Sequence, residues 1–142
     1  MYEPIRLEYV VDGDDFSSAG IASEQVKTHL KKLGIPSETI RRVAISMYEA
    51  EINLVIHGGG GEAFVEIYPD KIVMKLVDHG KGIEDIELAM QEGYTTAPDN
   101  IRALGFGAGM GLPNMKKYSD EIDVQSKVNE GTTVTMTIYI KD

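Results

Sequence analysis

The chain contains no cysteine among its 142 residues. That removes disulfides, thiolate nucleophiles and cysteine metal sites at once, and it fits a reducing compartment. Basic residues are in short supply: 14 Lys and Arg stand against 23 Asp and Glu, a formal net charge of -9. Such a surface repels nucleic acid and anionic membranes, so neither is an expected partner. A nucleotide is still allowed, because backbone amides and a metal ion can hold phosphates locally. No apolar run reaches the roughly 18 residues that a membrane span needs. Met1-Tyr2-Glu3-Pro4 carries neither a basic region nor an apolar core of a secretory leader, so the expected location is the cytoplasm. Repeats and linkers are also missing, and the length suits one domain spanning residues 1–142 with a proper core.

What is present alternates between strand and helix patterns. Ile5, Leu7, Tyr9 and Val11 alternate with other residues as in a half-buried strand, which Asp12-Gly13-Asp14-Asp15 ends. Ser23 is placed to cap a helix running to about residue 33, and Gly34 stops it. A longer helix is predicted over 38–56 after Pro36-Ser37, and the run Gly58-Gly59-Gly60-Gly61 ends it. Strands over 63–68 and 71–77, joined by Pro69-Asp70, form an antiparallel hairpin. A short helix follows over 84–91. Residues 92–111 form a long glycine-bearing segment, of the kind that is usually functional or disordered. A helix over 112–118 tolerates Pro113 in its first turn. Strands over 121–126 and 132–140 close the chain. This order predicts an α+β two-layer sandwich: a mixed, mostly antiparallel sheet with helices on one face and solvent on the other. Thr133, Thr135, Thr137 and Tyr139 mark the solvent side.

Three constellations carry possible chemistry. Asp78 ends a row in phase with Ile72, Met74 and Leu76, so it points to the covered face, and Thr132 ends the row of Val134, Met136 and Ile138 in the same way. An inward carboxylate is costly without a partner. The plain alternative is that Asp78-His79-Gly80 is an Asx turn or a helix cap. Glu49, Asn53 and His57 form one stripe at i, i+4 and i+8. Such a stripe supplies a base and an oxygen ligand for Mg²⁺, or it is a solvated helix face with His57 favouring the helix dipole. Gly105-Phe106-Gly107-Ala108-Gly109-Met110-Gly111 leads into a helix, whose N-terminus can receive phosphate. No Lys-Ser/Thr follows it, so it is not a Walker A loop, and Met110 and the missing lead-in strand exclude the dinucleotide fingerprint. A flexible loop is the other reading.

The three stretches, in this order and spacing, resemble the Bergerat-fold (GHKL-type) ATPases: histidine kinases, gyrase-type ATPases and anti-sigma-factor serine kinases. Glu49-Ala50-Glu51-Ile52-Asn53 is similar to the family's asparagine box, and Asp78-His79-Gly80-Lys81-Gly82 to its first glycine box. Gly107-Ala108-Gly109-Met110-Gly111 is similar to the second, and Gly131-Thr132 to the closing Gly-Thr. The resemblance runs from about residue 15 to 140. Small size points to the anti-sigma-factor serine/threonine kinases. Tyr94-Thr95-Thr96 resembles the start of their lid, and residues 105–120 look most like the stressosome switch-kinase branch. Lys81, often proline in that branch, and Glu51, a second carboxylate, depart from the pattern. No phosphoacceptor helical hairpin precedes the motifs, so a complete sensor histidine kinase is not expected.

The resemblance implies ATP and Mg²⁺ as cofactors. Asp78 would accept a hydrogen bond from the adenine amine, with a water shared with Thr132. Gly80 and Gly82 would let the backbone pass beside the base. Asn53 would ligate Mg²⁺. Thr95, Gly105, Gly107, Gly109, Met110 and Gly111 would line the phosphates, and Glu49 would take the proton from an attacking serine or threonine hydroxyl. The implied function is a protein kinase acting on an anti-sigma-antagonist (STAS-like) partner, with a sigma factor or phosphatase as further partners. The alternative is a non-catalytic, ATP-gated module that sequesters such a partner. Tyr9 and Val10 on the first strand would suit a homodimer edge.

Overall fold

A computed structural model describes residues 3–13, 19–56, 59–80, 82 and 111–141. Five strands and three helices are found among them. In chain order these are β1 (Ile5–Asp12), α1 (Ile21–Lys32), α2 (Ser37–Ile56), β2 (Gly60–Ile67), β3 (Lys71–Asp78), α3 (Gly111–Tyr118), β4 (Glu121–Lys127) and β5 (Gly131–Tyr139). The strand order is β1-β2-β3-β5-β4. The architecture is the α+β sandwich expected, with one refinement: all four pairings are antiparallel, so no mixed pairing occurs among the described residues.

The strand alternation explains the layering. Ile72, Met74 and Leu76 of β3 and Val134, Met136 and Ile138 of β5 are buried on one face. Thr133, Thr135 and Thr137 stand half-buried on the other. Val26 and Leu30 of α1, Val43, Met47, Ala50 and Leu54 of α2, and Leu112 and Met115 of α3 close over the apolar face. Burying each large apolar side chain contributes about 1.5–3 kcal/mol, so the layer is held mainly by this contact. Ala44 of α2 is only half-buried and lines the outer seam with α1.

Turn chemistry fixes the hairpins. Tyr68 N–H donates to Lys71 O at 2.8 Å across Pro69-Asp70. Asn129 takes a left-handed conformation (φ 66°) in the β4–β5 turn, where Glu130 N–H donates to Lys127 O at 2.9 Å.

The structure corrects two boundaries. Helix α1 begins at Ile21 with Gly20 in the cap position, and no side chain at that position caps it. Ser23 lies inside the first turn instead, its hydroxyl donating to Gly20 O at 3.0 Å. The glycine run after α2 does not only end the helix: Gly60 and Gly61 already pair in the sheet, opposite Asp12 and Val11. The predicted helix over 84–91 lies outside the described residues.

Candidate nucleotide site

The chain's path brings those expected site residues that are described to one end of the sandwich. Gly61 of β2 stands opposite Asp78 at the end of β3. Helix α2 ends at Ile56, only four residues before β2 begins at Gly60. So short a connection keeps the C-terminal end of α2, with Asn53 in its last turn, at the Asp78 end of the sheet. Strand β5 then runs antiparallel to β3 with Thr133 opposite Val77, which sets its first residues beside the last of β3.

Asp78 is the centre of this end. Its Oδ1 accepts the Gly80 N–H at 2.9 Å and the Thr132 N–H at 3.1 Å. The first bond is the Asx turn of the plain reading. The second ties β3 to β5 through the carboxylate. Asp78 is therefore not left without partners inside the protein, as strand phase alone suggested. Its other oxygen, Oδ2, receives no hydrogen bond among the described residues. That oxygen is not sealed off in the interior, so it is open to a donor from outside the chain, such as water or an exocyclic amine. The turn geometry and the ligand reading thus use different oxygens of one side chain.

Thr132 is nearly buried, and its hydroxyl shares a 2.8 Å hydrogen bond with Ser126 Oγ, which also lies 3.2 Å from Gly131 O. Ser126 was not expected from the sequence. It sits at an inward position of β4 and anchors the threonine that anchors Asp78. Gly131 has φ 119°, and a Cβ there would stand 2.1 Å from Asp78 O. Gly82 has φ 77°, and a Cβ there would stand 2.4 Å from Lys127 O. Both glycines let the segment after β3 lie directly on the β4–β5 turn.

Glu49 and Asn53 occupy adjacent turns of α2, each half-buried. Burial raises the Glu49 pKa above its ordinary value, and a side-chain hydrogen bond from Asn114 partly offsets that rise. Asn114 lies in the first turns of α3, so the N-terminal end of that helix, beginning at Gly111, is beside Glu49. No sequence signal marked Asn114, because a contact between two helices remote in sequence leaves no periodicity. Among the described residues no three His, Cys, Asp or Glu side chains group as a metal cage; the resemblance would assign a metal ion to Asn53 instead.

Glu51 behaves differently from its two neighbours. It is only 2% exposed. Its Oε2 accepts Gly20 N–H at 2.8 Å and Ala22 N–H at 3.2 Å, and its Oε1 accepts Ser23 N–H at 3.0 Å. A helix start leaves its first N–H groups unpaired, and here a carboxylate from α2 satisfies those of α1, with favourable placement in the α1 dipole. Glu51 is thus a cap supplied from another helix. His57, Lys81, Thr95, Gly105, Gly107, Gly109 and Met110 lie outside the described residues. His79 is described, exposed, with Nε2 3.4 Å from Glu62 Oε1.

A strand-end aspartate locked to a neighbouring Gly-Thr, opposite a helix bearing Glu49 and Asn53, is the arrangement of an ATPase of the Bergerat type. Residues 17–138 match the family described as histidine kinase-like ATPase domain. The chain belongs to this family. Within it, the chain is similar to proteins named anti-sigma F factor. That of Clostridium botulinum (strain Eklund 17B / Type B) is 33% identical over 143 residues, covering 96% of this chain and 94% of the relative. That of Thermoanaerobacter sp. (strain X514) is 39% identical over 110 residues, covering 72% of each.

Solved structures share the fold at low identity. The RsbU and RsbW domains of Rv1364c from Mycobacterium tuberculosis superpose with a TM-score of 0.66 at 16% identity, over 96% of this chain and 32% of that one. The mycobacterial sensor histidine kinase MprB superposes with a TM-score of 0.54 at 14% identity, over 96% of this chain and 99% of that one. No helix among the described residues is long and apolar enough to cross a membrane.

Proposed function

We propose that the protein is an ATP- and Mg²⁺-dependent serine/threonine protein kinase of the anti-sigma-factor type, formed by one domain over residues 1–142 and working in the cytoplasm. Its substrate is a hydroxyl of an anti-sigma-antagonist (STAS-like) partner, and a sigma factor is the partner released or held in turn. The observation that carries this reading is Glu49: a half-buried carboxylate with a raised pKa, on the same helix stripe as Asn53 and beside the start of α3. A carboxylate so placed is suited to act as the base toward an attacking hydroxyl.

Bound Mg·ATP would supply the transferable phosphoryl group and neutralise its charge. The chain's own residues would do the rest. Asp78 would accept from the adenine amine, with the Thr132 and Gly80 N–H groups holding the carboxylate in place. Asn53 offers its amide oxygen to Mg²⁺, which needs few protein ligands. By the resemblance, Gly105, Gly107, Gly109, Met110 and Gly111 would offer backbone N–H groups to the phosphates, with Thr95 joining them. Glu49 removes the proton from the attacking hydroxyl. The relatives' name, anti-sigma F factor, supports a partner-switching role.

The test is a transfer assay with labelled ATP, Mg²⁺ and a candidate STAS-like domain. Label should appear on serine or threonine of the partner and vanish with EDTA. Partner binding that depends on ATP but leaves the partner unlabelled would replace the kinase with the nucleotide-gated sequestering module.

A further inference from the structure

The outer seam between α1 and α2 holds two adjoining depressions of about 570 and 550 Å³. Lys27, Ala44 and Ile45 line both, so they form one continuous groove. It lies on the side of the helices turned away from the sheet and shares no residue with the candidate nucleotide site. Its floor is apolar: Ile35, Ile40, Ala44 and Ile45 at one end, and Ile21 with Tyr48 at the other. Ile21 is 53% and Tyr48 40% exposed. Exposed apolar surface of this kind is a mark of a contact site.

Its charge is at odds with the rest of the chain. Lys27 and Lys31 stand at i, i+4 along one edge, and Arg41 stands across from them. Neither lysine has an ion pair among the described residues. Arg41 makes an exposed 3.2 Å pair with Glu38 and lies 5.5 Å from the Tyr118 ring centroid. Glu24 lies at the far end. The groove is therefore basic at the Lys31–Arg41 end, while at the other end Glu24 and Lys27 offset one another, on a chain of net charge -9.

We propose that this groove docks an amphipathic helix of a partner protein, apolar along its buried face and acidic at the end seated between Lys31 and Arg41. The seam runs beside α1, a helix of 12 residues, or roughly 18 Å at 1.5 Å per residue. That length matches a helix laid into a groove through residues spaced i, i+3, i+4 and i+7. Charge selects the acidic partner: elsewhere the surface repels it, and only within about 8 Å of these cations is it attracted at physiological salt. A nucleic acid has no use for an isoleucine floor, and its extended charge meets the acidic remainder of the surface. An anionic membrane likewise meets the acidic remainder of the surface. The groove is separate from the phosphate chemistry, so the proposal stands apart from the kinase reading.

The test uses the full chain and a fluorescein-labelled helical peptide of about 15 residues, with leucines at i, i+3, i+4 and i+7 flanked by glutamates. Anisotropy should show saturable binding, and amide shifts should map to α1 and α2. The double variant Lys27→Glu/Lys31→Glu changes one half-buried and one exposed residue, both away from the nucleotide site, and should weaken binding about 10-fold while ATP affinity stays unchanged. Ile45→Asp should weaken it through the floor. Equal binding of a peptide with lysines in place of the glutamates overturns the proposal. So does undiminished binding by the double variant, absence of peptide binding, or tighter binding to phosphatidylglycerol vesicles or duplex DNA. Loss of ATP binding by the unaltered chain would instead sink the kinase reading and leave the groove standing.

Discussion

The Thr132 amide donates to Asp78 Oδ1 at 3.1 Å, joining the end of β3 to the beginning of β5, 54 positions later in the chain. The bond consumes one carboxylate oxygen and fixes the direction of the other. Asp78→Asn keeps a carbonyl oxygen able to serve Gly80 and Thr132, so the fold should persist, with a denaturation midpoint close to that of the parent. The charged acceptor is lost, however, and a hydrogen bond to a charged group contributes about 1.5–3 kcal/mol. Calorimetry should show ATP binding weakened about 10- to 100-fold. Unchanged affinity would remove Asp78 from the adenine site.

Gly131 makes that bond possible, since a Cβ there would stand 2.1 Å from Asp78 O in a backbone with φ 119°. Gly131→Ala should cost at least about 2 kcal/mol in urea unfolding. The β4–β5 turn and the segment after Asp78 should lose amide protection together, because they are pressed against one another.

Glu49 should govern the acid limb of phosphate transfer. The carboxylate is the active form, so activity should rise with pH through its pKa, which burial holds above the ordinary 4.5. Asn114→Ala removes the hydrogen bond that lowers this pKa, and the limb should move to higher pH. Glu49→Ala should retain ATP and lose about 10²–10⁴-fold in transfer. Full transfer by that variant would end its assignment as the base.

Glu51 should matter for stability rather than for chemistry. Glu51→Ala leaves three N–H groups at the start of α1 without their acceptor and should destabilise the protein by about 3 kcal/mol. Glu51→Gln keeps one acceptor oxygen and should cost about half as much. Hydrogen exchange at Ala22 and Ser23 should accelerate in both, which separates a lost cap from a general loosening.

Asp120 links three elements. Burial by itself would raise its pKa, but the Tyr139 N–H at 2.8 Å and the Arg42 guanidinium at 3.2 Å outweigh that and hold it below the ordinary 3.8. A group depressed in the folded state stabilises above its unfolded pKa, and the contribution is lost as pH falls through the folded value. The stability gap between the parent and Asp120→Asn should therefore be full above about pH 5 and close in the range below pH 4. A gap that persists at pH 2 would show that charge is not its source.

The sequence by itself determined the identity of the fold and the strands and helices found among the described residues. Alternation in β3 and β5 named the buried rows, because a strand's faces repeat every two residues whatever lies beside it. The spacing of Glu49 and Asn53 placed them on one stripe for the equally local reason of helical pitch. The ordered glycine motifs carried the family resemblance.

What only the tertiary structure decided are the partners of polar groups. Glu49, Glu51 and Asn53 are two residues apart in the chain, yet Glu51 faces the start of α1 and is consumed as a cap. Ser23, a good local cap by composition, is not the one used. Ser126, Asn114 and the doubly held Oδ1 of Asp78 were likewise invisible. A hydrogen bond is set by which backbone amide arrives within 3 Å, and that depends on the packing of segments far apart in sequence, on which local pattern is silent.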